Sequence, residues 1–160
     1  MSKKISNSHE PRILNRRARH EYHVLEKLEC GIILQGSEVK SVRSGQVQLG
    51  QGFARVEPRD LSLFLHGIDI APYPHASGKN AHDPKRPRKL LAHKRQIAQL
   101  LDKTGPKGTT LVPLAMYFVR GRAKVELGLV TGKKTHDKRQ DLKTREADRQ
   151  IRRAMTRRRI

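Results

Sequence analysis

A mainly β fold, built as a small sheet or barrel with short helices and followed by a basic tail, is predicted by three observations. The first is the stretch at residues 111–131, LVPLAMYFVRGRAKVELGLVT. Its second half alternates: Ala123, Val125, Leu127 and Leu129 point one way, and Lys124, Glu126 and Gly128 the other. That is a strand with one buried face and one wet face. Its first half is apolar on both faces, and Arg120-Gly121 between the halves supplies a glycine for a tight turn. The second observation is a further alternating pair of runs near residues 52–57 and 61–66, joined by Pro58-Arg59-Asp60. The third is a junction: apolar content ends at Gly132 and a charged segment begins.

Composition narrows the partners. The chain has 160 residues, about one domain, and a formal net charge of +20 from 35 Lys plus Arg against 15 Asp plus Glu. Such self-repulsion points to a polyanion, with nucleic acid leading. No stretch joins a basic face to a Trp/Phe-rich face, and no apolar run reaches membrane-spanning length or resembles a signal segment. Cys30 stands alone, so neither a disulfide framework nor a zinc cluster is expected, and a cytoplasmic location is the default. With no Trp and 4% aromatics, phosphate and shape contacts are expected to outweigh base stacking.

The elements follow in order. Residues 1–14 are polar, carry Pro11 and read as a flexible arm. Residues 15–22, NRRARHEY, form a basic patch that is either one helical turn or a lead into a strand. Residues 22–35 read as a long, bent or bulged strand, with Val24, Leu25, Leu28, Cys30, Ile32, Ile33 and Leu34 in the core. Glu29 is an acid in an apolar element of a basic protein, suited to an ion pair or to accepting hydrogen bonds from RNA. Residues 36–45 make a short helix capped by Ser37 that buries Val39 and Val42. Residues 67–87, with four prolines, read as a long loop. Residues 89–103 give the clearest helical spacing, ended by Gly105-Pro106. Residues 133–160 hold 12 Lys or Arg against 4 acids, a net +8, with a thin apolar stripe of Ala147, Ile151 and Met155. That stripe is too narrow to anchor a helix in a core, so disorder when free and helix on a polyanion are expected.

Enzyme signals are poor. The eight histidines are scattered, with no HExxH spacing. His82-Asp83 reads as a turn rather than a catalytic dyad. The segment GLVTGKK lacks the Ser or Thr of a phosphate loop, and Lys134 stands in that place. No enzyme, metal or cofactor is predicted.

Six groups of residues, in order and at compatible separations, resemble the small protein B family, the SsrA-binding proteins that partner transfer-messenger RNA. They are Asn15-Arg16-Arg17-Ala18 with His20 and Tyr22; Gly36 with Glu38-Val39-Lys40-Ser41; Asp83-Pro84; Arg88-Lys89-Leu90-Leu91; Val112-Pro113-Leu114; and Gly132-Lys133-Lys134 with Asp137-Lys138-Arg139. The resemblance covers nearly the whole chain from about Leu14. It departs at Gly50-Gln51-Gly52-Phe53, where the family more often shows an Asp-Ser-Tyr-like segment. It departs again at Ala147, where some members carry an aromatic.

The resemblance implies an oligonucleotide-binding-type β-barrel with short associated helices and a basic C-terminal tail. The expected division is an arm at 1–14, an RNA-binding barrel at 15–132 and a tail at 133–160 that is helical on the ribosome. It further implies binding to the tRNA-like domain of transfer-messenger RNA and delivery, with elongation factor Tu, to stalled ribosomes. There the protein substitutes for a missing anticodon arm, and the tail enters the empty message channel. The RNA-binding residues would be Asn15, Arg16, Arg17, Glu29, Leu91, Lys124, Gly132 and Lys133. Decoding-centre and message-channel contacts would come from His20, Lys134, Asp137, Lys138, Arg139, Lys143 and Arg145. The competing readings are a ribosomal structural or assembly protein binding rRNA, which the tail alone fits equally well, and an RNA-modifying enzyme with an oligonucleotide-binding domain.

Overall fold

A computed structural model describes residues 10–105 and 108–157. In chain order it contains β1 (Ile13–Leu14), α1 (Arg16–Glu21), β2 (Tyr22–Ile32), α2 (Gly36–Arg43), β3 (Val47–Gln48), β4 (Phe53–Glu57), β5 (Ser62–His66), β6 (Asp69–Ile70), β7 (Arg88–Leu91), α3 (Lys94–Thr104), β8 (Thr109–Val119), β9 (Arg122–Gly132) and α4 (Thr135–Arg157). The β8–β9 hairpin is paired from Val119↔Arg122 to Thr109↔Thr131. Its two-residue turn has positive φ at both Arg120 (51°) and Gly121 (74°), the hand that matches the twist of the flanking strands.

The sheet closes. Its order runs β8-β4-β5-β7-β2-β9, and β9 pairs back onto β8, so every pair is antiparallel and no edge remains among these six strands. The interior holds Cys30, Leu63, Leu65, Leu90, Leu111, Met116, Val125, Leu127 and Leu129. Each buried leucine contributes about 1.5–3 kcal/mol. Burial pushes the Cys30 thiol up to about 11, so it packs as a small apolar group.

A second cluster explains why β8 is apolar on both faces. Val112, Leu114 and Val130 face outward, where Ala18 of α1 and Tyr22 cover them. Gly128 belongs under this cover: a Cβ there would lie 2.8 Å from Leu114 Cδ1. The wet face expected for β9 therefore ends after Glu126, and Gly128 is buried.

Other expectations are corrected by packing. Ile13 and Leu14 pair with Met116 and Ala115 instead of lying in a free arm, while residues 1–9 fall outside the described part. β2 carries the expected bulge, between Val24 and Glu26; Val24 and Leu25 at the bulge, and Ile33 just past the strand, are exposed rather than in the core. Gln35, not Ser37, precedes α2, and its N–H donates to Glu38 Oε2 at 2.7 Å. Val42 is buried and Val39 only partly so. The loop at 67–87 contains β6, paired with β3, and a 3₁₀ turn at Gly78–Asn80.

The expected helix at 89–103 begins instead at Lys94. Arg88–Leu91 is strand β7, drawn into the barrel by pairing with both β5 and β2, a tertiary preference that overrides local helical spacing. Gly105 follows the helix, and Pro106 lies outside the described residues.

β7 also begins with a fully buried arginine. Arg88 Nε donates to Glu38 Oε1 at 2.9 Å, and its Nη groups donate to the carbonyls of Arg86, Asp83 and Pro84. Arg86 adds Nε and Nη2 hydrogen bonds to the same carboxylate, at 2.9 and 2.5 Å. His82 joins the structure nearby, hydrogen-bonding Ser37 Oγ at 2.9 Å and the Ile70 carbonyl at 3.0 Å. This buried network clips the loop to α2.

Candidate nucleic-acid interface

One row of residues crosses the outer face of the barrel on four adjacent strands. Leu91 of β7 lies opposite Gly31 of β2, Gly31 opposite Lys124 of β9, and Lys124 opposite Tyr117 of β8. Gly31 leaves the row flat: a Cβ there would lie 3.3 Å from Leu91 Cβ. Leu91 is 52% exposed, and Lys124 makes no hydrogen bond or ion pair among the described residues. Glu29 stands two residues along β2, opposite Glu126. Its Oε2 accepts a 2.6 Å hydrogen bond from the Tyr117 hydroxyl. Burial, that hydrogen bond and the neighbouring carboxylates push the Tyr117 hydroxyl up to about 12. Arg12 caps this end, 4.5 Å above the Tyr117 ring and 3.3 Å from Glu126 Oε2. Glu29, Leu91 and Lys124, distant in sequence, therefore share one patch.

A second cluster forms where the barrel meets the tail. Gly132 pairs with Tyr22, and the Lys133 N–H donates to the Glu21 carbonyl at 2.9 Å. Lys133 Nζ donates to the Arg19 carbonyl at 3.1 Å and to the Asp141 carboxylate. Asp137 Oδ2 accepts from the Lys134 N–H and lies 3.4 Å from His23 Nε2. The His23 contact and the Lys134 N–H hold the Asp137 carboxyl below the usual range, as Lys133 does for Asp141. Here α1 and the first turns of α4 meet. Arg16 and Arg17 are exposed on α1, and His20 is partly exposed. Gly31 lies nine residue steps beyond Tyr22 along β2, about 30 Å at ~3.3 Å per residue. The two clusters thus sit at opposite ends of the same pair of strands.

Asn15 differs from the other expected contacts. It is 3% exposed. Its Oδ1 accepts from the Ala18 N–H, and its Nδ2 donates to the carbonyls of Leu49 and Pro113. It caps α1 and ties that helix to the barrel, which positions Arg16 and Arg17. The spacing of an N-cap three residues before Ala18 was the available signal.

The tail also departs from expectation. Residues 135–157 form one helix, α4, where disorder was expected in the free chain. High helix propensity through residues 143–153 and the Asp137 cap account for it. Its attachment is polar: Leu142, Ile151 and Met155 are 47%, 53% and 66% exposed. Arg139, Lys143, Arg145 and Ala147 are exposed along it, Lys138 is partly covered, and Lys134 is exposed just before its first residue.

The SmpB protein family model matches residues 12–157. The chain belongs to the SmpB family. It is 52% identical over 141 residues to the SsrA-binding protein of Carboxydothermus hydrogenoformans, covering 88% of this chain and 93% of that one. It is 51% identical over 144 residues to the SsrA-binding protein of Thermosynechococcus vestitus, covering 90% and 93%. A solved structure described as "tmRNA-SmpB: a journey to the center of the bacterial ribosome" contains a chain with 52% identity and a TM-score of 0.66, covering 78% of this chain and 86% of that chain. The β-rich, oligonucleotide-binding-like fold of the SmpB family is therefore the fold of this chain.

Within that SmpB framework, the sequence missed Tyr117, Arg12, His23 and Asp141. Tyr117 was hidden because the β8 register shifts between Pro113 and Ala115, which breaks simple alternation along the strand. Among the described residues no group of three His, Cys, Asp or Glu could hold a metal ion, and no helix is long and apolar enough to cross a membrane.

Proposed function

We propose that this SmpB-family chain binds the tRNA-like domain of transfer-messenger RNA and delivers it to ribosomes stalled on messages without a stop codon. Elongation factor Tu accompanies the delivery complex, and the location is cytoplasmic. The outer row with Glu29, Leu91 and Lys124 contacts the tRNA-like domain, and Arg16, Arg17, Gly132 and Lys133 form a second RNA contact positioned by Asn15. His20 faces the decoding centre, while Lys134, Asp137, Lys138, Arg139, Lys143 and Arg145 follow the empty message channel. The nascent peptide is then tagged and the ribosome released.

The observation that carries this reading is the separation of the two clusters along paired strands, with a highly charged, net basic helix leaving from one end only. A rigid barrel suits a shaped RNA elbow, read through phosphates and ribose hydroxyls. A helix without an apolar anchor suits a channel that is anionic and vacant. Its charge supplies attraction with little sequence discrimination. The test is purification of the protein with its bound RNA, followed by sequencing of that RNA. Transfer-messenger RNA is expected as the enriched species. Equal recovery of ribosomal RNA from all ribosomes, with the protein present stoichiometrically, would instead identify a ribosomal structural protein.

A further inference from the structure

The turn at Gly50-Gln51-Gly52-Phe53, where the sequence leaves the family pattern, forms one wall of a groove. The groove is about 260 Å³, lies between α1 and the start of β4, and is bordered by Arg17, Tyr22, Gln51, Phe53 and Thr110. Phe53 is 43% exposed. A single exposed apolar ring is ordinary, but this one is backed. It stacks on His66 at 5.3 Å between centroids with 16° between planes, and His66 lies 6.5 Å from Phe64. Three ring side chains gather on one outer face of β4 and β5, where Phe53 and His66 are cross-strand partners.

The backbone holds this platform in place. A Cβ on Gly52 would come within 2.7 Å of both Ile68 Cγ2 and Pro113 Cγ. Gly67 has φ of +70°, and a Cβ there would lie 2.5 Å from the Gln51 carbonyl oxygen. Glycine at both positions lets the two turns touch, and that contact fixes the angle at which Phe53 leaves the sheet. Across the groove, Arg17 is exposed and its Nε donates to Glu21 Oε1 at 3.0 Å. A guanidinium has further N–H donors for a phosphate.

We propose that this groove accepts an unpaired RNA nucleobase, stacked on the open face of Phe53, with its phosphate toward Arg17. The proposal rests on the RNA-binding reading above, shares Arg17 with it, and adds a stacking site at Phe53 and His66, which that reading leaves out. Every base presents a π face, so such a site tolerates sequence and selects for bases outside a duplex. The His66 ring behind Phe53 keeps the platform from yielding, and the Thr110 hydroxyl and Gln51 peptide groups offer hydrogen bonds to a base edge. The formal charge of +20 favours an RNA occupant over an apolar one.

The chain contains no Trp, so Phe53→Trp introduces a unique fluorophore at the site. Its emission is expected to fall on titration with the tRNA-like domain and with unpaired oligoadenylate, and to stay constant with a fully paired RNA duplex. Phe53→Ala is expected to weaken binding to the tRNA-like domain about five- to 100-fold. Its salt slope should match the parent chain, because no phosphate contact is removed, and its melting temperature should also match. Unchanged Trp emission with both unpaired RNAs, an alanine variant that binds as tightly as the parent, or a lowered melting temperature that accounts for its loss would overturn the stacking site. If the parent chain fails to bind the tRNA-like domain while oligoadenylate still quenches the Trp, the delivery reading falls and the stacking site stands.

Discussion

Lys124 stands between Gly31 and Tyr117 on paired strands, so its ammonium is presented from a fixed backbone. Lys124→Ala is expected to cost about 1.5–3 kcal/mol of RNA binding, roughly tenfold or more in Kd, and to lower the salt slope by about 1. Glu29→Ala should also weaken binding but leave the salt slope intact, since Glu29 repels phosphate and acts only as an acceptor. Gel-shift titration at several salt concentrations checks both, and unchanged affinity in both folded variants would reject this surface. Glu38→Gln tests a different role. It would leave Arg88, fully buried, without its counter-charge, a loss of about 3–5 kcal/mol in chemical denaturation. The alternation of residues 123–127 was legible because one face of β9 is dry and the other wet. Beyond the N-cap spacing of Asn15 to Ala18, Asn15 and Glu38 were not legible as structural residues. Their partners, Leu49, Pro113, Arg86 and Arg88, come from elsewhere in the chain, and sequence spacing carries no record of such distant hydrogen bonds.

Among the elements, both hairpins were readable from turn chemistry and period-two alternation, whereas β7 was not. Its four residues run straight into a helix-like pattern, and only the neighbours β2 and β5 decide its state. α4 shows the converse, a local propensity strong enough to give a helix without a core to rest on. Truncation after Gly132 is therefore expected to leave the cooperative melting transition of the barrel in place, because α4 buries almost no apolar surface. RNA binding should persist with a smaller salt dependence. Loss of the transition would make the tail part of the core. The triple substitution Asp137→Ala, Lys138→Ala and Arg139→Ala changes the net charge by only −1, since one acid and two bases are removed. Binding to the tRNA-like domain should survive, while tagging on stalled ribosomes should be lost with the Asp137 cap and its tie to His23. Normal peptide transfer in a reconstituted assay would return Asp137, Lys138 and Arg139 to the status of general counter-charge.

For the whole molecule, acid should act through the network on α2. Burial pushes the Glu38 carboxyl up, but the hydrogen bonds from Arg86 and Gln35 and the charge of Arg88 outweigh it, so the folded pKa lies below its ordinary 4.5. A depressed carboxylate stabilises the fold above its unfolded pKa, and that stabilisation is lost as pH falls through the folded one. Melting temperature is thus expected to be flat near neutrality and to drop below about pH 4.5, with a shallower drop in Glu38→Gln. The barrel architecture was legible because its strands obey local periodicity, while its closure was not, because β9 meets β2 across more than half of the 160-residue chain. That long pairing has a mechanical consequence. β2 and β9 are joined by a ladder from Tyr22↔Gly132 to Gly31↔Lys124, broken only by the bulge between Val24 and Glu26, and a hydrogen-bonded ribbon resists stretching. A pull on α4 at one end therefore arrives at the opposite end as displacement rather than as slack. The barrel behaves as a stiff lever, through which torque on the tail would be felt by whatever grips Leu91 and Lys124.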